Sequence, residues 1–123
     1  MRSLIAISLL TLSATAQAEP IEVWECTTES QGNITVQVTA TVEAGGKTGH
    51  ISLAGIAHDT VFEVAGFDRR WDFGVRADRT FRYAFVIDPE GHAKYFDFGN
   101  NETKVQPMHY MKCRQTRAAK ALN

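Results

Sequence analysis

The chain has 123 residues, 44% hydrophobic and 10% aromatic, with 13 Lys+Arg against 14 Asp+Glu for a formal net charge of −1. That length accommodates one domain. The slightly acidic balance speaks against nucleic acid as a partner, since such domains carry a clear basic excess.

Residues 1–18 read as an export leader that is cleaved from the mature chain. Arg2 supplies a positive start, Leu4 to Leu12 a short apolar run, and Ala16-Gln17-Ala18 the small-x-small pattern that a signal peptidase recognises. An apolar run this short does not span roughly 30 Å of hydrocarbon, so no membrane insertion is expected. No cysteine sits at the cleavage point, so no lipid-anchored N-terminus is expected. The expected product begins at Glu19 and is periplasmic or secreted, and it loses one base, Arg2, with the leader.

The rest of the chain has strand periodicity. Glu22 to Thr28 forms a first candidate strand. Ile34, Val36, Val38, Ala40 and Val42 then alternate with Thr35, Gln37, Thr39 and Thr41, the pattern of a half-buried antiparallel strand with a threonine-rich outer face. The glycine-rich stretch 43–49 interrupts it. Gly45-Gly46-Lys47-Thr48 contains the GKT of a phosphate loop, but position 41 is threonine rather than the required glycine and no helix follows. Further strands are expected at His50 to Gly55, Thr60 to Ala65, Arg70 to Val75, Thr80 to Ile87, Ala93 to Phe98 and Lys104 to Cys113. The fold class is therefore all-β, a small antiparallel β-barrel or sandwich of about eight strands over residues 19–113. Residues 114–123, with Arg114, Arg117 and Lys120 and no acid, read as a flexible basic tail.

Asp88-Pro89-Glu90-Gly91 matches a type I turn position by position. Two registers are open for its hairpin. Pairing Ile87 with His92 puts Phe81, Tyr83, Phe85 and Ile87 on one face with Phe96 and Phe98, and sets Arg82 opposite Asp97. A three-residue loop with Gly91 in a bulge pairs Phe85 with Tyr95 instead. Burial favours the first, and it is the expectation taken here.

Cys26 and Cys113 are the only cysteines and stand near the two ends of the mature domain. In an oxidising compartment such a pair forms a disulfide, joining the terminal strands. The chain-entropy relation gives a bridge over so long a loop roughly 4–5 kcal/mol. It also brings the first strand beside the last, which in an up-and-down meander closes the sheet and removes both exposed edges.

Chemistry-bearing motifs are sparse. His50, His58, His92 and His109 form no H-x-H, H-x-x-x-H or H-E-x-x-H pattern, so no metal and no cofactor are expected, with His58-Asp59 as the one local pair worth locating. No G-x-S-x-G elbow is present, and the mature chain has only Ser30 and Ser52. Asn33-Ile-Thr35 and Asn101-Glu-Thr103 fit the N-glycosylation sequon at expected turns; a eukaryotic host would modify them, whereas behind a leader of bacterial type, which the A-x-A end resembles, they are chance matches. The segment from Phe67 to Phe98 holds most of the aromatics together with Arg69, Arg70, Arg76, Arg79 and Arg82. Most of those rings belong to a core. Arg69, Arg70, Trp71 and Asp72 are the candidate partner-binding residues, because arginine and tryptophan are enriched at binding hot spots. If Trp71 points inward, Arg70 and Asp72 point outward and that patch is polar.

A small exported barrel with stapled terminal strands is similar in architecture to bacterial periplasmic inhibitors of lysozymes and proteases. The Ser-Gly-x-x-Tyr type of motif that accompanies the lysozyme-inhibitor barrels is absent from this sequence. Three functions are weighed. The first is a non-enzymatic binding module that docks on another exported protein, with enzyme inhibition as one form. The second is a lipocalin-like carrier of a small apolar ligand lined by Phe81, Tyr83, Phe85, Phe96 and Phe98. The third is a small carboxylate-dependent hydrolase using a pair such as Asp72 and Asp97. The binding module ranks first, and no catalytic residue is assigned.

Overall fold

A computed structural model describes residues 19–28, 35–99 and 107–118. These hold eight strands: β1 (Glu22–Thr28), β2 (Gln37–Val42), β3 (Thr48–Leu53), β4 (Ile56–Ala65), β5 (Asp68–Val75), β6 (Phe81–Ile87), β7 (His92–Asp97) and β8 (His109–Arg117). Each pairs antiparallel with the next, and β8 pairs with β1, so the sheet closes as an up-and-down barrel. The leader region and both sequons fall outside the described residues.

Alternation drives the wall. In β2, Val38, Ala40 and Val42 are buried while Gln37 is exposed and Thr39 and Thr41 are only partly covered. β1 repeats this with Trp24 and Cys26 inside and Glu25 and Thr27 outside. Inward side chains fill the interior: Trp71 and Phe85 are fully buried, joined by Phe62, Phe73, Ile51, Ile87 and Met111. The Trp71 ring packs 5.0 Å from Phe62 and 6.0 Å from Phe85, and its Nε1 donates to the Thr41 carbonyl at 2.9 Å. Burying rings of this size stabilises the fold by roughly 2–3 kcal/mol each. Gly49 makes room for the indole: a Cβ there would stand 3.0 Å from Trp71 Nε1 and 2.0 Å from the Thr41 oxygen.

Closure is made twice, by hydrogen bonds and by a covalent bond. Cys26 lies directly opposite Cys113 in the β1–β8 ladder, their Cα atoms 4.0 Å apart, and the two form the disulfide. Such a bond fits an oxidising compartment. The last strand runs further than composition suggested. Residues 114–117 pair with β1 rather than forming a tail, with Arg114 beside Glu25 at 3.2 Å and Arg117 beside Glu19 at 2.9 Å.

The β6–β7 register is the one that burial argued against. Phe85 pairs with Tyr95 and Ile87 with Ala93. Turn chemistry decided it. The Asp88 carbonyl accepts from Gly91 N at 3.0 Å, Asp88 Oδ1 accepts from the amides of Glu90 and His92 at 2.9 Å each, and Gly91 sits at φ +88° as the bulge residue. Tyr95 therefore points inward, while Phe96 and Phe98 stack on each other outside at 5.7 Å. Arg82 still reaches Asp97 at 3.0 Å, diagonally rather than directly across.

Candidate functional site

The up-and-down order gathers the 43–47 loop, the β4–β5 turn, the β6–β7 turn and the end of β8 at one rim of the barrel. There β4 and β5 outrun their neighbours. The β3–β4 ladder stops at Thr48 and Val61, and the β5–β6 ladder starts only at Arg69 and Ile87. Residues 63–68 thus project as a two-stranded finger. Its turn is the two-residue pair Gly66-Phe67 between Ala65 and Asp68, with Gly66 at φ +67° in the place where a type II′ turn requires glycine. Phe67 at the tip is 85% exposed and Val64 behind it 61%.

A polar network fixes the root of this finger. Glu22 is buried, and its Oε1 accepts from Arg69 Nε at 2.6 Å and from Trp24 Nε1 at 2.8 Å. Arg69 Nη2 reaches Oε2 at 3.4 Å, and the guanidinium lies 5.2 Å over the Trp24 ring. Every polar atom of the buried carboxylate has a donor, the condition under which a buried charge is tolerated.

The four residues expected to form a partner-binding patch are thereby separated. Arg69 belongs to the finger's root, Trp71 fills the core, and Arg70 is paired with Asp72 at 3.0 Å on the outer wall. The exposed aromatic is Phe67, two residues before the Arg69-Arg70 pair. The two-residue Gly66-Phe67 turn was the available signal, because a side chain at a hairpin tip has no wall to pack on.

The residues proposed to line a ligand cavity also divide. Phe85 is buried inside, Phe81 and Tyr83 lie half-buried on the same inward set, and Phe96 and Phe98 are outside. Across the opposite end of the interior, rings run His58–Phe73 at 5.4 Å, Phe73–Tyr95 at 6.2 Å and Tyr95–His109 at 6.2 Å, with Tyr83 stacked on Phe73 at 5.2 Å. Burial pushes the Tyr95 phenol up to about 12. The Thr60 hydroxyl is buried with no hydrogen-bond partner among the described residues. Grooves run on the outer wall instead, one lined by Glu25, Thr27, Gln37, Thr39, Lys112 and Arg114.

Asp72 and Asp97, the candidate hydrolytic pair, each have an arginine. The hydrogen bond from Arg82 holds Asp97 below the usual carboxylate range, the direction opposite to that of a general acid. His58 and Asp59 point to opposite faces: His58 packs on Phe73, whereas Asp59 Oδ1 lies 2.9 Å from His50 Nε2, whose Nδ1 is 3.0 Å from Glu43. Asp88, Glu90 and His92 bring ligand-type atoms within 4.8 Å of one another, but one Asp88 oxygen already holds two amides of its own turn.

No family of known proteins matches the chain, nor does any curated protein or solved structure.

Proposed function

We propose that the protein is an exported, non-enzymatic binding module that docks on another exported protein by inserting the β4–β5 finger, with Phe67 as its anchor. Export rests on the leader-like residues 1–18 and on the disulfide of Cys26 and Cys113. The observation that carries the reading is an 85% exposed phenylalanine at the tip of a hairpin that projects past the rim. Buried aromatic anchors dominate interface energies. A finger held at its root by Arg69, Glu22 and Trp24 is preorganised, so docking it costs little ordering entropy. The filled interior supports this reading over the carrier, and the arginine-paired carboxylates support it over the hydrolase.

Native mass spectrometry of the mature protein, released gently from its own envelope extract, tests the reading. The wild type and Val75→Ser, altered at an exposed residue at the opposite end of the barrel, are expected to carry the same additional protein, and Phe67→Ser to appear bare. A complex that survives Phe67→Ser removes the finger from the interface. A wild type bearing only an adduct of small-molecule mass, or nothing, overturns the docking reading.

A further inference from the structure

Acidic side chains predominate around the finger. Glu63 and Asp68 flank the tip and form no ion pair among the described residues. The β5–β6 ladder begins at Arg69–Ile87, so the turn that follows Ile87, with Asp88 and Glu90, lies at the same rim as the finger. Of the nearby arginines, Arg69 is bonded to Glu22, and Arg70, which stands opposite Glu63 in the β4–β5 ladder, is bonded to Asp72. Lys47 and Lys112, the latter opposite His92 beside the 88–91 turn, are the further cations on that side; the Lys47 carbonyl accepts from Phe62 N at 2.9 Å, and neither ammonium has a carboxylate partner among the described residues. The tip thus combines an apolar anchor with two carboxylates, Glu63 and Asp68, that have no ion pair among the described residues, beside a turn whose Asp88 and Glu90 each lie 3.6 Å from His92 Nδ1.

Resting on the reading that this finger is the docking element, we infer that its partner is a protein with an apolar pocket rimmed by lysine and arginine side chains. The occupant follows from charge complementarity, which steers encounter and rejects wrong partners. A second copy of this chain brings the same acidic rim and is repelled. Anionic lipid headgroups and nucleic-acid phosphates are repelled likewise. The apolar centre supplies affinity, and the carboxylates Glu63, Asp68, Asp88 and Glu90 supply orientation and choice.

The test places the photoreactive residue p-benzoylphenylalanine at position 67 of the full chain in its host and irradiates the envelope fraction. Irradiation is done at about 0.1 M and about 1 M salt, between which the screening length falls from about 10 Å to about 3 Å. The same experiment is run on Glu63→Lys/Asp68→Lys. The expected result is one adduct with a basic protein, its yield falling about tenfold or more at high salt and in the charge-reversed variant. Glu63→Gln/Asp68→Asn, with the charges removed and the size kept, is expected to fall between them, and it decides the matter if the reversed variant does not accumulate. An adduct insensitive to salt and to both variants, an adduct of twice the chain mass, or one with an acidic protein overturns the inference while leaving the finger as the docking element. No adduct at position 67 under any condition overturns the docking reading itself.

Discussion

Arg69 and Glu22 stand 47 positions apart in the chain and 2.6 Å apart in space, Nε to Oε1, at the root of the projecting finger. Removing the arginine leaves a buried carboxylate with Trp24 as its remaining side-chain donor. Arg69→Ala is expected to lose roughly 2–3 kcal/mol, the cost of a charged hydrogen bond left unmade, moderated because Arg69 itself is partly exposed. Glu22→Gln keeps an acceptor for Trp24 and is expected to cost less. Urea denaturation of both singles and the double variant gives the coupling, which is expected to be favourable. Additive losses would show that the contact does not hold the root.

Gly91 and Gly66 both have positive φ but differ in surroundings. A Cβ on Gly91 would stand 2.8 Å from the Cys113 carbonyl oxygen, whereas one on Gly66 meets nothing within 4 Å. Gly66→Ala is expected to cost about 1 kcal/mol, the left-handed conformation alone. Gly91→Ala adds displacement of the β7–β8 junction, where Cys113 N donates to the Gly91 carbonyl at 2.7 Å, and is expected to cost at least about 2 kcal/mol. Equal losses in thermal unfolding would contradict the Gly91 packing.

Much of this fold was legible from residue order, and the exceptions have physical causes. The alternation of Val38, Ala40 and Val42 with Thr39 and Thr41 marks β2 whatever surrounds it. Cys26 and Cys113 together with an antiparallel meander imply closure, and both appear as read. Burial pointed to the wrong β6–β7 register, because Tyr95 and Phe96 are adjacent aromatics and either parity places rings in the core. The hydrogen bonds of Asp88 and the bulge at Gly91 chose between them. At the site, Trp71 shares inward parity with Phe73, so its burial followed from strand alternation once the strand was placed. The commitment of Arg69 was not readable, since nothing local in the Phe67–Asp72 segment points to Glu22 across the barrel rim.

The disulfide joins residues separated by 87 positions and secures a closure that the β1–β8 hydrogen bonds also make. Cys26→Ser/Cys113→Ser is expected to remain a barrel but to lose about 2–5 kcal/mol. Guanidinium unfolding with and without reductant checks this. Agreement of oxidised and reduced midpoints would show that the bond contributes nothing.

Two groups set opposite pH limits. Asp97 is held below its unfolded value by the Arg82 hydrogen bond, with burial opposing. Its contribution is present above about pH 4, the ordinary aspartate range, and is lost as pH falls through the lower folded value. Asp97→Asn is therefore expected to flatten the acid limb of the stability profile. Tyr95 is raised from 10.0 to about 12, mainly by burial. Its contribution is complete below pH 10 and is lost as pH rises toward 12. Ultraviolet titration is expected to show a late tyrosine step toward pH 12, and a Tyr95→Phe variant to abolish it.

The central claim is that the finger at Phe67 is what the partner grips, and amide hydrogen exchange on the partner-bound protein against the free protein tests it most directly. New protection confined to residues 63–70 and the adjoining 88–91 turn, with the wall of β1, β2 and β3 unchanged, is the predicted result. Protection on the outer wall around Phe96 and Tyr110, with the 63–70 amides exchanging as in the free protein, would contradict it.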